Sequence, residues 1–264
     1  MNVNGVLSKM KTKYTSPIQY YLEIGGKIID MNRLIGGNIE IYFDKYQCLS
    51  CGRTKKIYRQ GYCYNCFFES PKVGDWILRP EMSKAHLNIE DRDLEYEKKV
   101  QLQPHIVYLA LSSKVKVGVT RKPEVPTRWI DQGASKAIAM LELPNRYLAG
   151  ITEVALKQHV SDKTSWQRML KNELADIDLL EQKEMLSNYV PDETKRYFLY
   201  DNTELFVLNY PVLQYPQKVK SLKLDKHPVI KGKLIGIKGQ YLIFDDGSVF
   251  NVRNHEGYVV DIIV

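Results

Sequence analysis

The feature that most constrains this chain is its set of four cysteines, which all lie within nineteen residues. They form two Cys-x-x-Cys pairs, Cys48 with Cys51 and Cys63 with Cys66. Each pair can direct two thiolates at one point, and two pairs complete the tetrahedral four-thiolate shell that Zn2+ accepts in structural sites. The spacing therefore predicts a structural zinc site in residues 44–70, called the knuckle below. An iron–sulfur cluster would use the same ligands and stays an alternative, as do free thiols.

The knuckle also combines basic and aromatic residues, with no acidic residue between Lys45 and Phe68. Its basic residues beyond Lys45 are Arg53, Lys55, Lys56 and Arg59. Its aromatic residues are Tyr46, Tyr58, Tyr62, Tyr64, Phe67 and Phe68. Cations neutralise phosphates and exposed rings stack on bases, so this pattern predicts contact with nucleic acid through the basic residues. The alternative is that the rings form a small core and the charges are its solvated face.

A second basic run contributes much of the net charge of +7. Between Lys218 and Lys238 there are seven lysines and a single acidic residue, Asp225. We predict that Lys220 and Lys223 in this run contact RNA or DNA. The alternative is that the run is a solvated loop. No stretch reaches the ~18 apolar residues of a membrane span, and the basic start of the chain lacks the apolar segment of a signal peptide. The sequence therefore predicts a cytoplasmic protein with a nucleic acid partner and no membrane contact.

Periodicity predicts an α+β protein with three segments. Residues 1–79 are predicted as a β segment that carries the knuckle, with Gly25-Gly26 as a two-residue hairpin turn. Residues 80–190 alternate short apolar strands with amphipathic helices. Residues 191–264 return to a period of two and contain several glycines. They are predicted as a small domain resembling a β-barrel.

Short motifs in the central segment resemble the GIY-YIG nuclease module. Ile106-Val107-Tyr108 stands where the first sheet motif of that module would be, and Lys116-Val117-Gly118 stands where the second would be. Arg128 follows ten residues after the second motif and matches the module's arginine. Glu153 begins a helical stretch and matches its metal-binding glutamate. The resemblance implies a three-stranded antiparallel sheet with helices packed around it.

The activity implied by this resemblance is hydrolysis of a phosphodiester. Tyr108 or a basic neighbour such as Lys116 would deprotonate water, and Arg128 would stabilise the developing charge. Glu153 would hold Mg2+ or Mn2+ on the scissile phosphate.

Three positions depart from the nuclease pattern: Ile106 replaces a glycine, Lys116 a tyrosine and Ser165 an asparagine. Two functions therefore stay open. One is a metal-dependent nuclease in which the knuckle grips the substrate. The other is a non-catalytic protein that binds structured RNA such as tRNA or the ribosome. A protein-interaction scaffold stabilised by zinc is a third alternative, which the two basic runs disfavour.

The whole chain also resembles an uncharacterised microbial family, a domain of unknown function. The runs that carry this resemblance include residues 79–87, 104–110, 126–134, 145–150 and 161–164. The resemblance covers nearly the whole chain and implies no particular activity.

Overall fold

The structure is a computed structural model that describes residues 1–160 and 165–264, so the run 161–164 lies outside the described residues. The chain forms two compact units. The first contains residues 1–69, 130–133 and 208–264, and the second contains residues 70–129 and 134–207. Most of the predicted first and third segments thus fall in one unit, and most of the predicted central segment falls in the other.

The elements are numbered along the chain. Those before residue 70 are β1 (Asn2–Val6), β2 (Lys11–Lys13), β3 (Gln19–Ile24), β4 (Lys27–Asp30), β5 (Asn38–Tyr46), β6 (Ile57–Arg59), β7 (Tyr62–Cys63) and α1 (Tyr64–Glu69). Those from 70 to 207 are α2 (Leu94–Gln101), β8 (His105–Leu111), β9 (Val115–Arg121), α3 (Thr127–Asp131), β10 (Lys136–Leu143), α4 (Arg146–Lys157), α5 (Trp166–Leu170), α6 (Leu179–Ser187), α7 (Asp192–Lys195) and β11 (Phe206–Val207). The last are β12 (Lys220–Leu222), β13 (Val229–Lys238), β14 (Tyr241–Phe244), β15 (Ser248–Asn251) and β16 (Tyr258–Ile263).

The first unit is built on one large sheet with the strand order β1-β16-β5-β13-β14-β15-β12. Within the described residues the two ends of this order do not pair, so the sheet is open and the predicted barrel-like domain is wrong. The cause is strand β5, which lies between β13 and β16. Its residue Ile41 pairs with Ile230 on one side and Ile262 on the other. The C-terminal strands β13 and β16 therefore pair with a strand of the N-terminal segment, and they do not pair with each other to close a barrel.

A smaller sheet in the first unit contains the predicted hairpin. Strands β3 and β4 pair antiparallel, with Ile24 opposite Lys27. The two residues between them, Gly25 and Gly26, have φ angles of +56° and +72°. A two-residue hairpin turn of this kind requires positive φ at both positions, which glycine adopts without strain. The predicted turn is confirmed.

The second unit contains an antiparallel sheet with the order β11-β10-β8-β9. Every residue of β8 is buried. Val107 and Leu109 of β8 belong to a hydrophobic cluster that also contains Ala149 and Leu156 of α4. Helix α4 therefore covers the face of the sheet on which Val107 and Leu109 lie. Together the units give the mixed helices and sheets of the predicted α+β class.

Within the described ranges, no helix combines the length and the apolar character that crossing a bilayer requires.

Candidate metal centre and the polar cluster of the central sheet

The knuckle brings its four cysteines together, and their sulfur atoms all lie within 4.8 Å of one another. Two come from the loop after β5, one from β7 and one from α1; they are Cys48, Cys51, Cys63 and Cys66. The Leu49 N–H donates to the Gly61 carbonyl oxygen over 2.8 Å and ties the two halves together. Among residues 1–160 and 165–264, this is the single group of three or more side chains placed to hold a metal ion.

The backbone around Cys48 favours a metal-binding thiolate at that residue, whereas burial and the neighbouring cysteines raise the pKa of Cys66. The N–H groups of Ser50 and Cys63 lie 3.5 and 3.3 Å from the Cys48 sulfur. Burial raises the pKa of the Cys48 thiol, but backbone N–H donors outweigh burial and bring that pKa below its ordinary value. The thiolate is the form that ligates metals. The four residues can therefore hold a metal ion such as zinc, and the donor set fits it.

Four of the six aromatic residues of the knuckle form a cluster at its surface. Tyr58, Tyr64, Phe67 and Phe68, called the aromatic patch below, contact one another through their rings. The exposed fractions of Tyr58, Tyr64 and Phe68 are 43%, 61% and 49%. Helix α1, which carries three of the four rings, has no buried residue. The rings are therefore not a buried core of the knuckle, and three of the four are exposed to a partner.

The predicted basic residues lie in the same knuckle, and one of them contacts this patch. Arg53, Lys55, Lys56 and Arg59 are all exposed. The Arg59 guanidinium lies 5.4 Å from the centre of the Tyr58 ring. In the described part of the chain, none of these four cations forms an ion pair with an acidic residue. Their charges are therefore available to an anionic partner.

The second basic run approaches the knuckle through Asp225. This carboxylate accepts hydrogen bonds from Tyr46 and Tyr258, both over 2.8 Å. Tyr46 ends β5, two residues before the first cysteine, so Asp225, two residues after Lys223, is held beside the strand that enters the knuckle. Both lysines are exposed.

Lys238, which ends this run, is fully buried. Its ammonium lies 5.3 Å and 5.2 Å from the ring centres of Tyr210 and Tyr215. Burial lowers its pKa to about 8. Lys238 therefore adds nothing to the basic surface, although the sequence counts it in the same run.

The structure places Tyr108 and Lys116 together on one face of the central sheet. Tyr108 lies opposite Gly118 in the register, and Lys116 lies opposite Ala110, two residues further along β8. The Tyr108 side chain is fully buried, and its ring lies 5.6 Å from that of Trp129. Since side chains alternate along a strand, this face is the one opposite to α4.

Glu153 lies on α4 and is therefore carried on the other side of the sheet. It is 7% exposed, and its carboxylate pairs with the Lys157 ammonium over 3.0 Å. Burial raises the pKa of Glu153, and the charges of Lys157 and Arg146 oppose that rise. The structure thus does not unite Glu153 with Tyr108 and Lys116 in one cleft.

Arg146 is the residue around which the central charges gather, and sequence reasoning gave it no role. Its guanidinium donates to the carbonyl oxygens of Trp76 and Ile77 over 2.9 and 2.8 Å. Burial, with a smaller contribution from the charges of Arg128 and Arg121, lowers its pKa to about 10, and the charge of Glu153 opposes that fall. The predicted residues Arg128 and Glu153 are therefore brought close to a common neighbour. The sequence does offer one signal for the position of Arg146. Asparagine is a preferred helix-capping residue, and Asn145 caps α4, so the next residue lies in the first turn of that helix.

Ser165, at the position where the nuclease module has asparagine, has a structural role. Its hydroxyl accepts from the Arg168 N–H over 3.4 Å and caps α5, and its own N–H donates to the Ser113 hydroxyl over 3.1 Å. Serine is among the preferred residues at this helix position.

Fold and site together define an α+β protein with a cluster of four cysteines that can hold a metal ion. A family model described as a protein of unknown function (DUF2797) matches residues 36–260, and the chain belongs to this family. The predicted membership in an uncharacterised family is confirmed. A search of curated proteins and a search of solved structures both found no match. The resemblance to the GIY-YIG module has no support from these comparisons and stays a prediction.

Proposed function

We propose that this protein binds nucleic acid through the knuckle, with Zn2+ held by the four cysteines. The observation that carries the proposal is the exposed aromatic patch in the same knuckle as four exposed cations, one of which contacts the patch and none of which pairs with an acid of the described residues. Lysine and arginine neutralise phosphates, and each exposed ring offers a face on which a base can stack. Zinc would act structurally, since the four-thiolate set leaves no open position for a substrate.

Stacking on the patch favours a partner with unstacked bases. Duplex bases are already stacked on each other, whereas loops and single strands can present theirs to protein rings. Structured RNA, whose loops carry such bases, is therefore the partner that we propose. Lys220 and Lys223 extend the basic surface next to the strand that enters the knuckle. This arrangement suits a strand whose phosphates continue beyond the bases that stack.

Binding measured against salt concentration tests the proposal. Fluorescence anisotropy with a labelled RNA stem-loop, a single-stranded DNA and a duplex DNA should give the tightest binding to the first. Affinity should fall as salt rises. Replacement of Arg53, Lys55, Lys56 and Arg59 by Gln should lower the logarithmic salt slope by about 0.7 for each phosphate that the variant no longer neutralises.

The matched control for the knuckle charges is Lys27→Gln, which removes an exposed cation from the same unit outside the knuckle. This variant should keep the wild-type slope. A flat salt response of the wild type, or an unchanged slope in the fourfold variant, would refute the proposed phosphate contacts.

Metal-dependent phosphodiester hydrolysis is the second candidate function. It is favoured by Arg146, whose positive charge acts on the buried Glu153 carboxylate, and by Arg128, whose charge acts on Arg146. In this function Glu153 would hold Mg2+ or Mn2+. Two observations weigh against this function. The Glu153 carboxylate is paired with Lys157, and Tyr108 lies on the face of the sheet opposite to the helix that carries Glu153.

Incubation of labelled RNA and DNA with Mg2+ or Mn2+ separates the two functions. Cleavage that Glu153→Gln abolishes would support a nuclease. Binding without cleavage, unchanged in Glu153→Gln, would support the non-catalytic function.

A further inference from the structure

The second unit contains a cavity of about 310 Å3 between α6 and the chain that follows α7. One wall is a single face of α6, formed by Lys183, Glu184 and Ser187. The other wall is formed by Phe198, Tyr200 and Asn202. A volume of this size lies in the range of small-ligand pockets, about 300–1,000 Å3.

The floor of the cavity is preorganised by Lys183. Its side chain is 4% exposed, and its ammonium donates to the carbonyl oxygens of Leu199 and Asn202 over 2.5 and 2.6 Å. The Asn202 side chain in turn donates to the Ala139 carbonyl oxygen over 3.1 Å and holds the wall on β10. An ammonium has three N–H donors. Among the described residues no oxygen or nitrogen atom accepts the third N–H of Lys183, whose ammonium also lies 5.4 Å from the centre of the Phe198 ring, so this N–H can be donated to a ligand.

The mouth of the cavity has an aromatic side. Tyr200 is 60% exposed, and its ring lies 4.6 Å from the buried ring of Phe198. Glu184 follows Lys183 on the helix, is exposed, and offers a carboxylate acceptor. The cavity thus combines a ring for stacking, a single inner donor and an outer acceptor.

We propose that this cavity binds a nucleobase. A base can stack on Tyr200, accept the free N–H of Lys183 at a ring nitrogen or carbonyl oxygen, and donate an amino group to Glu184. Adenine and cytosine carry such an acceptor beside an exocyclic amino group. A phosphate fits less well, because two of the three Lys183 donors are already used and the Glu184 charge would repel it.

The cavity and the knuckle lie in different units and share no residue, so neither site depends on the other. The base could belong to a bound strand or to a free nucleotide, and both offer the same ring and edge. Mononucleotides and an oligonucleotide therefore serve as the two arms of the test.

The experiment measures binding of AMP, CMP and ribose 5-phosphate to the full chain by calorimetry and saturation-transfer NMR. AMP and CMP should bind saturably, whereas ribose 5-phosphate, which lacks a base, should not. Tyr200→Ala should weaken AMP binding about tenfold, since it removes one stacking face. Glu184→Gln should weaken it less, because the amide keeps an acceptor oxygen.

Two controls separate this proposal from the first. Tyr189→Ala removes another exposed tyrosine of the same unit, 45% exposed, and should leave AMP binding unchanged. The fourfold knuckle variant should also leave it unchanged, even if that variant no longer binds RNA.

If Tyr200→Ala also weakens binding of a single-stranded oligonucleotide, the occupant is a base of a strand; if only mononucleotide binding changes, it is a free nucleotide. Absence of saturable AMP and CMP binding, or equal binding by ribose 5-phosphate, would overturn the inference. AMP binding that is unchanged by Tyr200→Ala but abolished in the fourfold knuckle variant would overturn it as well.

Discussion

Replacement of Tyr64 by alanine separates base stacking from folding. The Tyr64 ring is 61% exposed and lies 5.2 Å from the Tyr58 ring and 4.9 Å from the Phe68 ring. Each aromatic pair contributes about 0.5–1.5 kcal/mol, and the low value applies because most of the ring is in water. The substitution should therefore lower the free energy of unfolding by about 1 kcal/mol. The protein stays folded at that cost.

The loss of RNA affinity should be larger. A base that stacks on a protein ring contributes about 1–3 kcal/mol, which corresponds to a roughly 5- to 150-fold change in Kd. Tyrosine carries no charge, so the salt slope should not change. Tyr64→Ala and the fourfold charge variant should therefore differ: the first shifts the binding curve at every salt concentration, and the second changes its slope.

Fluorescence anisotropy with the RNA stem-loop measures both quantities, and urea unfolding measures stability. Tyr189→Ala is the control, because it removes a ring that is 45% exposed and stacks on His159. An affinity loss below about twofold in folded Tyr64→Ala would refute stacking on the patch, since even the weakest stacking contact exceeds that value. A changed salt slope would show that the ring acts through its basic neighbours.

Three further predictions concern stability and metal. Gly150→Ala should destabilise by about 1–3 kcal/mol, opposite to the usual gain at a helix glycine, since the new methyl would lie 2.1 Å from the Glu81 backbone nitrogen; thermal unfolding measures this. Burial lowers the pKa of His105 from 6.5 to about 4 in the folded protein. As pH falls, His105 therefore binds a proton in the unfolded chain before it does so in the folded chain. The difference in free energy of unfolding between the wild type and His105→Gln should be constant above pH 6.5. Toward pH 4 the wild type should lose up to about 3 kcal/mol relative to the variant, as measured by urea unfolding. Cys63→Ser should lower the zinc content below one per chain in elemental analysis and weaken RNA binding; unchanged zinc would contradict the four-cysteine site.

Local features of the sequence predicted local structure well. The Gly25-Gly26 turn depends on the φ angles of two adjacent residues, and the knuckle depends on cysteine spacing within nineteen residues. Both are decided by short-range geometry that residue identity encodes directly. The α+β class follows from periodicity for the same reason.

Pairing between distant segments could not be predicted in this way. Ile41 pairs with Ile230, 189 positions away by subtraction of their residue numbers, and alternation of apolar residues does not specify which edges meet. A barrel-like domain was predicted for the C-terminal strands because their period of two and their glycines are typical of a small barrel. They lie instead in an open sheet with β1 and β5.

The central site was predicted in part for a related reason. Arg128 and Glu153 were singled out from motif order, and both lie near Arg146. The environment of Arg146 depends on the carbonyl groups of Trp76 and Ile77, which lie far away along the chain. The burial of Tyr108 likewise follows from how β8 packs on both faces, which a three-residue motif does not reveal.

Photocrosslinking tests the central claim most directly. RNA bound to the zinc-loaded chain of residues 1–264 is irradiated, and the crosslinked peptides are mapped by mass spectrometry. The proposed function predicts crosslinks to the rings of the aromatic patch, within residues 58–68, that disappear when unlabelled RNA competes. Specific crosslinks found only outside the knuckle, with none in residues 58–68, would contradict it.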